Sequence, residues 1–296
     1  MIPGADWAVV VPTASRPDRL AECLRSLLAL QIDGGTPEIV VVDDGGDPPA
    51  QDAVDALADN GYDIAAIRVV RKTNGGPASA RNAGVAETSR SWIAMTDDDC
   101  AVDPGWLTAF SHAAARHAGA EPLLGGAAVN AVPGLPAAAA QRLLDHLHEH
   151  LNTDPNRARF FPSNAIAMPR SAYLTLGGFS TAFRRAAGED RLFCDAWRGS
   201  GRPLVWVPEA RAQHRHALTF RGFWRQQSNY GRGAATYRKL AESQATQMPR
   251  GFRTSMLTQP VREQGPAGLP MVVMMLLSQA AVTSGYVLQR FFGERR

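Results

Sequence analysis

A chain of 296 residues, 45% hydrophobic and 20% charged, has globular composition and room for one large α/β domain; it is not a disordered or collagenous sequence. Net charge is only +3, but from Arg211 to Arg253 nine Lys or Arg residues face one acid, Glu242; that suits an anionic partner or, equally well, a solvated basic helix face. Cys23, Cys100 and Cys194 are widely spaced and form no CxxC pair, which argues against a disulfide framework or a thiolate metal site and suits a reducing compartment.

The first residues, MIPGADWAVVVPT, lack a charged segment followed by a long apolar run, so no secretory signal is expected and the chain is expected in the cytoplasm. Ala8–Val11, Ile39–Val42, Ile67–Val70 and Trp92–Met95 are short apolar runs between polar or turn residues, and read as buried strands of a largely parallel sheet. Between the first two, Leu20, Cys23, Leu24, Leu27 and Leu28 fall on one helical face, in a helix entered near Pro17. A second helix around Val54 and Leu57 ends at Gly61. This alternation predicts a doubly wound α/β domain. Ala131–Ala140 is read as a loop leading into a helix, and Leu204–Val207 and Ala210–His214 as two short strands before a basic, aromatic helical stretch.

In such sheets ligands bind beyond the carboxyl ends of the strands. Thr13 follows the first strand, Asp43 and Asp44 the second, and Asp97, Asp98 and Asp99 the fourth, so the three groups can converge on one crevice. Three adjacent carboxylates raise one another's pKa unless a cation neutralises them, and oxygen-rich sites suit Mg2+ or Mn2+. A solvated acidic turn before the helix near Pro104 and Trp106 is the plain alternative. The second acidic pair on the same edge favours the functional reading.

VVVPTASRP, IVVVDDGG, NGGPASARNAG, AMTDDDC, and GGF followed by GED, in this order between about Trp7 and Arg232, resemble the successive motifs of family 2 glycosyltransferases. The resemblance implies the GT-A (nucleotide-diphospho-sugar transferase) fold: a mostly parallel sheet flanked by helices, occupying residues 1–250. Residues 251–296 would form a C-terminal hydrophobic and basic tail. It implies an inverting transfer from a nucleotide-diphosphate sugar to an acceptor hydroxyl, assisted by Mg2+ or Mn2+, in polysaccharide or glycolipid biosynthesis. Pro12 and Thr13 would lie against the base, and Asp43 or Asp44 would accept a hydrogen bond from base or ribose. Gly75, Gly76 and Pro77 would shape a loop beside the nucleotide. Arg81 would approach the nucleotide or order the acidic loop, with a salt bridge to a surface acid as the plain alternative. Asp97 and Asp98 are assigned to nucleotide-sugar binding, and Asp97, Asp99 and His214 to the metal, with His216 the competitor of His214.

Glu189–Asp190 matches the family's ED motif, with Asp190 as catalytic base and Glu189 as orienting or acceptor-binding residue. The same acids could simply open a helix, where they complement its dipole. Asn164 is assigned to acceptor or donor, and Arg225 or Arg232 to phosphate. Gly46 stands where the family often has Ser.

Met271–Leu288 is 18 uncharged residues, at the lower limit for a bilayer span and interrupted by Ser278, Gln279, Thr283, Ser284 and Gly285. A helix lying on the cytoplasmic face of a membrane, a buried helix and a homodimer contact all rank ahead of spanning. The expected partners are thus a nucleotide-sugar donor, a glycan, lipid or small-molecule acceptor and a membrane surface, but no nucleic acid. The rival functions are a nucleotidyltransferase of related fold, whose Gly-rich basic signature is absent from VVVPTASRP, and a non-catalytic nucleotide-sugar-binding scaffold at a membrane. Neither GxGxxG nor GxxxxGK[ST] occurs.

Overall fold

The computed structural model describes residues 1–183, 187–241, 246 and 248–293; Glu242, the lone acid of the basic stretch, lies outside them. Trp7–Thr13 (β1), Glu38–Asp43 (β2), Ile67–Arg71 (β3) and Trp92–Thr96 (β4) are strands, separated by helices Pro17–Leu28 (α1), Ala50–Asp59 (α2) and Pro77–Ala86 (α3). All four strands run parallel in the order β3-β2-β1-β4, as a strand–helix–strand chain requires. β1 is buried at every residue because helices cover both of its faces.

The remaining strands are Cys100–Val102 (β5), Leu123–Asn130 (β6), Ala165–Pro169 (β7) and Leu204–His214 (β8). They complete one eight-stranded sheet in the order β3-β2-β1-β4-β7-β6-β8-β5, with antiparallel contacts β4–β7, β6–β7 and β5–β8. The two short strands expected at 204–214 are one strand with an irregularity. Gly126 pairs with Val207 but Ala127 with Arg211, so the ladder skips Pro208, which has no N–H to donate.

Trp106–Arg116 (α4) packs against β8, and Leu135–Leu151 (α5) follows β6. The loop expected up to Ala140 ends sooner, at Gly134: Pro136 opens the helix and the alanines after it are the best helix formers. Arg170–Thr175 (α6), Glu189–Gly199 (α7), Phe220–Leu240 (α8), Phe252–Gln264 (α9) and Leu269–Phe292 (α10) are the remaining α-helices among the described residues.

α10 is not a detached tail. Met274, Met275, Ser278, Ala281 and Gly285 are buried on one face of it, and Met274 and Met275 form a small core with Ala139 of α5, Phe223 of α8 and Met256 of α9. Its other face is apolar and open, with Val273 55%, Leu276 53% and Phe291 66% exposed.

Candidate active site

The carboxyl ends of β1, β2 and β4 open into a cleft of about 790 Å³ whose far side is built by α5, α7 and α8. Of the residues expected at the site, Pro12, Thr13, Asp44, Gly76, Arg81, Asp97, Asp98, Asp99, Asn164, Glu189, Asp190, His214 and Arg225 line it. Asp43 and Arg232 do not.

The two acids after β2 are separated by their partners. Asp43 faces away from the cleft: its carboxylate accepts the amides of Gly46 at 2.7 Å and Ala50 at 3.1 Å, closing the turn and opening α2, and pairs with Arg71 at 3.2 Å. Asp44 accepts the amides of Gly75 at 2.9 Å and Gly76 at 2.7 Å and pairs with Lys72 at 2.7 Å. It ties the end of β2 to the loop before α3. The NGG loop is thus shaped by an aspartate that also reaches the cleft.

The acidic triplet after β4 divides three ways. Asp97 pairs with Arg81, which also lies 3.7 Å from Glu189; Arg81 and Glu189 are almost wholly buried. The guanidinium therefore links the triplet to the start of α7, and a buried pair stripped of one partner costs about 3–5 kcal/mol. Asp98 accepts the Thr13 hydroxyl at 2.7 Å and Arg16 at 3.1 Å; burial nevertheless pushes its carboxyl up to about 6, with its two neighbouring aspartates adding to the rise.

Asp99 is the most heavily partnered. His216 Nδ1 lies 2.9 Å and Arg19 3.4 Å from Oδ2, and His214 Nε2 3.3 Å from Oδ1. Burial would raise this carboxyl, but hydrogen bonds from the two imidazoles outweigh it and hold it well below the usual carboxylate range. For His214 the balance runs the other way: burial disfavours its charge, yet Asp99 raises it above an ordinary imidazole.

The donor set fits a divalent cation. Asp99 and His214, together with the Cys100 sulfur, present atoms within 4.8 Å of one another. In this arrangement Arg16, Arg19 and the two imidazoles offset the Asp99 charge, so a cation bound there would take over that role from the arginines. Asp97 is outside that cluster, being held by Arg81, and both histidines reach Asp99.

The opposite rim starts at α7. Glu189 accepts the Ala187 amide at 2.8 Å, whereas Asp190, the next residue, faces the cleft. Burial, reinforced by the adjacent Glu189 charge, pushes Asp190 up to about 7. Asn164, buried in the cleft wall, has a side-chain carbonyl oxygen without a hydrogen-bond partner. Tyr230 and Gln227 of α8 complete that wall.

Sequence reasoning passed over Arg16 and Arg19. Their signal was the SRPDR run that opens the helix after β1, where a basic residue sits against an acidic strand end. Cooperation between Arg81 and Glu189, far apart in sequence, had no local signal.

Comparison with known proteins bears on the family and the fold. Residues 8–120 match the family model "Glycosyl transferase family 2". The chain is 29% identical over 244 residues to a pre-mycofactocin glycosyltransferase of Mycobacterium tuberculosis, an alignment spanning 78% of this chain and 47% of that protein. It is 35% identical over 102 residues to the succinoglycan biosynthesis protein ExoO of Rhizobium meliloti, spanning 34% of this chain and 28% of that one. The chain thus spans about half the length of the first of these relatives, and less of the second. Among solved structures, a mannosyltransferase from Pyrobaculum calidifontis in complex with GDP-Man and Mn2+ superposes with a TM-score of 0.59 at 18% identity, covering 97% of this chain and 81% of that one. TarS 1–349 of S. aureus in complex with UDP superposes with a TM-score of 0.53 at 15% identity, covering 98% and 92%. At these identities the likeness is one of fold.

Proposed function

The chain carries a family 2 glycosyltransferase domain of GT-A fold, and on that premise we propose that it transfers a sugar from a nucleotide-diphosphate donor to an acceptor hydroxyl with inversion. The observation that carries this reading is the placement of two acidic groups on facing rims of one cleft, the Asp97–Asp99 triplet and Glu189–Asp190, joined by buried Arg81.

In this reading Pro12, Thr13, Asp44 and Gly76 receive the base and ribose at the ends of β1 and β2. Asp99 and His214 would hold Mg2+ or Mn2+, with Asp97 joining them once released from Arg81, and the ion would supply positive charge to offset that of a diphosphate. Mn2+ accompanies GDP-Man in the P. calidifontis neighbour. Arg225 faces the same space and offers paired donors to phosphate. Asp190 takes the proton of the acceptor hydroxyl as that oxygen attacks the anomeric carbon; a base with a pKa near the working pH is the most effective. Glu189, fixed by Arg81 and the Ala187 amide, positions it. Asn164 offers its unpartnered oxygen to a substrate hydroxyl.

The open apolar face of α10 supports attachment to a membrane surface on the cytoplasmic side, so that residues beyond about 250 serve as a docking tail as well as a packing element.

Binding of UDP and GDP, measured calorimetrically with Mn2+ and with EDTA, tests the donor site. Affinity that depends on the cation and is lost in Asp99→Ala is expected. Undiminished binding in EDTA and in the variant would remove the metal role.

A further inference from the structure

His146, Glu149 and His150 recur at i, i+3 and i+4 on α5 and so share one face of it. None of the three lines the cleft described above. His146 is buried, and its Nε2 lies 2.9 Å from the carbonyl oxygen of Phe252, the first residue of α9. A carbonyl oxygen only accepts, so in the neutral ring Nε2 carries the proton and Nδ1 presents a lone pair. That Nδ1 is buried and has no hydrogen-bond partner, a costly arrangement unless something binds there.

His150 repeats the pattern. Its Nδ1 lies 2.9 Å from the His146 carbonyl oxygen and donates to it, which leaves the Nε2 lone pair facing the Ser255 hydroxyl at 3.2 Å. Glu149 is oriented as well: Arg142 holds Oε1 at 3.0 Å, and Oε2 lies 3.9 Å from His146 Nδ1. One donor atom from each of the three lies within 4.8 Å of the others. Each imidazole is fixed by a backbone carbonyl, which leaves its other nitrogen free to coordinate, and His146 Nδ1 is the one beside the Glu149 carboxylate; such backbone anchoring is the arrangement that surrounds metal-bound histidines.

We propose that His146 Nδ1, Glu149 and His150 Nε2 of α5 bind one Zn2+ ion where α5 meets the start of α9, clipping the two helices together when the Ser255 hydroxyl of α9 takes the fourth position. Two imidazole nitrogens and one carboxylate suit a borderline dication and not Mg2+, which prefers an all-oxygen shell. The exposed side of Glu149 leaves a fourth position for water or the Ser255 hydroxyl. The role is structural: α5 also walls the cleft, so the clip braces that wall against the C-terminal helices.

The test uses the full chain, stripped of metal, kept in excess Mg2+ and titrated calorimetrically with Zn2+. Glu149→Gln and His150→Gln alter side chains at the surface or half-exposed, so both variants should fold; an unchanged Tm in EDTA checks this. A zinc-binding event present in the wild type and weakened at least about tenfold in both variants is expected, with Zn2+ raising the Tm of the wild type more than that of the variants, which keep the Asp99–His214 cluster. Co2+ in place of Zn2+ should give strong visible absorption of a tetrahedral site, lost in both variants. Zinc titrations that superimpose for the three proteins, or a Co2+ spectrum unchanged by the substitutions, would overturn the proposal.

Discussion

At the scale of single residues the site is governed by what holds each carboxylate. Asp43 and Asp44 are held by Arg71, Lys72 and backbone amides, Asp98 by Thr13 and Arg16, and Asp99 by imidazoles and arginines. Asp190 faces the cleft from the rim opposite the triplet, is pushed up to about 7 by burial and has Glu189 as its neighbour. Asp190→Asn keeps size and polarity but removes basicity, so we expect turnover to fall at least about a hundredfold while donor binding is retained. In the wild type the rate should climb as pH rises through about 7, when the base loses its proton, and a pH–rate profile reads this limb directly. Stability should move the opposite way. A carboxyl raised in the folded state binds a proton that the unfolded chain has released, so stability declines as pH rises from about 4 towards 7. The asparagine variant lacks that decline, and its Tm should exceed that of the wild type above pH 7 and converge with it near pH 4. Equal Tm values throughout would mean that Asp190 is not buried as an acid.

At the scale of elements, the contact between α8 and α10 depends on glycine. A Cβ on Gly231 would lie 1.9 Å from the Val282 carbonyl oxygen, and one on Gly285 1.9 Å from that of Ser228. The two helices thus meet backbone to backbone, which no other residue permits. Gly231→Ala should destabilise the protein by about 1–3 kcal/mol or more, as overpacking does. Gly222→Ala, on the same helix, would meet only the Thr219 hydroxyl at 3.3 Å and Leu218 at 3.5 Å, and should cost far less than Gly231→Ala. Urea unfolding of the two variants checks the difference. Equal midpoints would show that the helices can separate at no cost. An alternation of apolar and polar residues does not tell which helix another will meet.

At the scale of the whole molecule, the C-terminal helices present one buried and one open apolar face. Among the described residues, Phe252–Phe292 is the one helical stretch long and apolar enough to cross a membrane by length and composition. Close packing of one face on α8 favours a helix lying along the surface. Substituting Val273, Leu276 and Phe291 by Glu changes only open positions and leaves the α8 contact intact. Flotation with anionic vesicles should carry the wild type to the lipid fraction and leave the triple variant behind. Should the wild type stay unbound, light scattering decides the matter: a dimer dispersed by the same substitutions would assign the face to a second copy of the chain.

What the sequence determined by itself was the repeated strand–helix unit, the edge on which the acids gather and the kinds of residue gathered there. Those features are local: a period of apolar residues, an acid at the end of a strand, a proline or glycine beside it. Ala8–Val11 and Ile39–Val42 could be identified as strands because burial on both faces leaves a continuous apolar run, and Asp97–Asp99 stood out because three charges directly after such a run need an explanation. Tertiary structure alone decided which acid faces the cleft and which one closes a turn, since Asp43 and Asp44 are adjacent in sequence and differ only in what lies around them. It alone brought Arg81 between Asp97 and Glu189, and Arg16 and Arg19 onto the triplet, because such pairs depend on strand order and on crossovers that bring distant segments together. The continuous β8, skipping Pro208, and the seating of α10 on α8 belong to the same class. Periodicity marks a face for burial, but the partner that covers it is chosen by the packing of the whole chain.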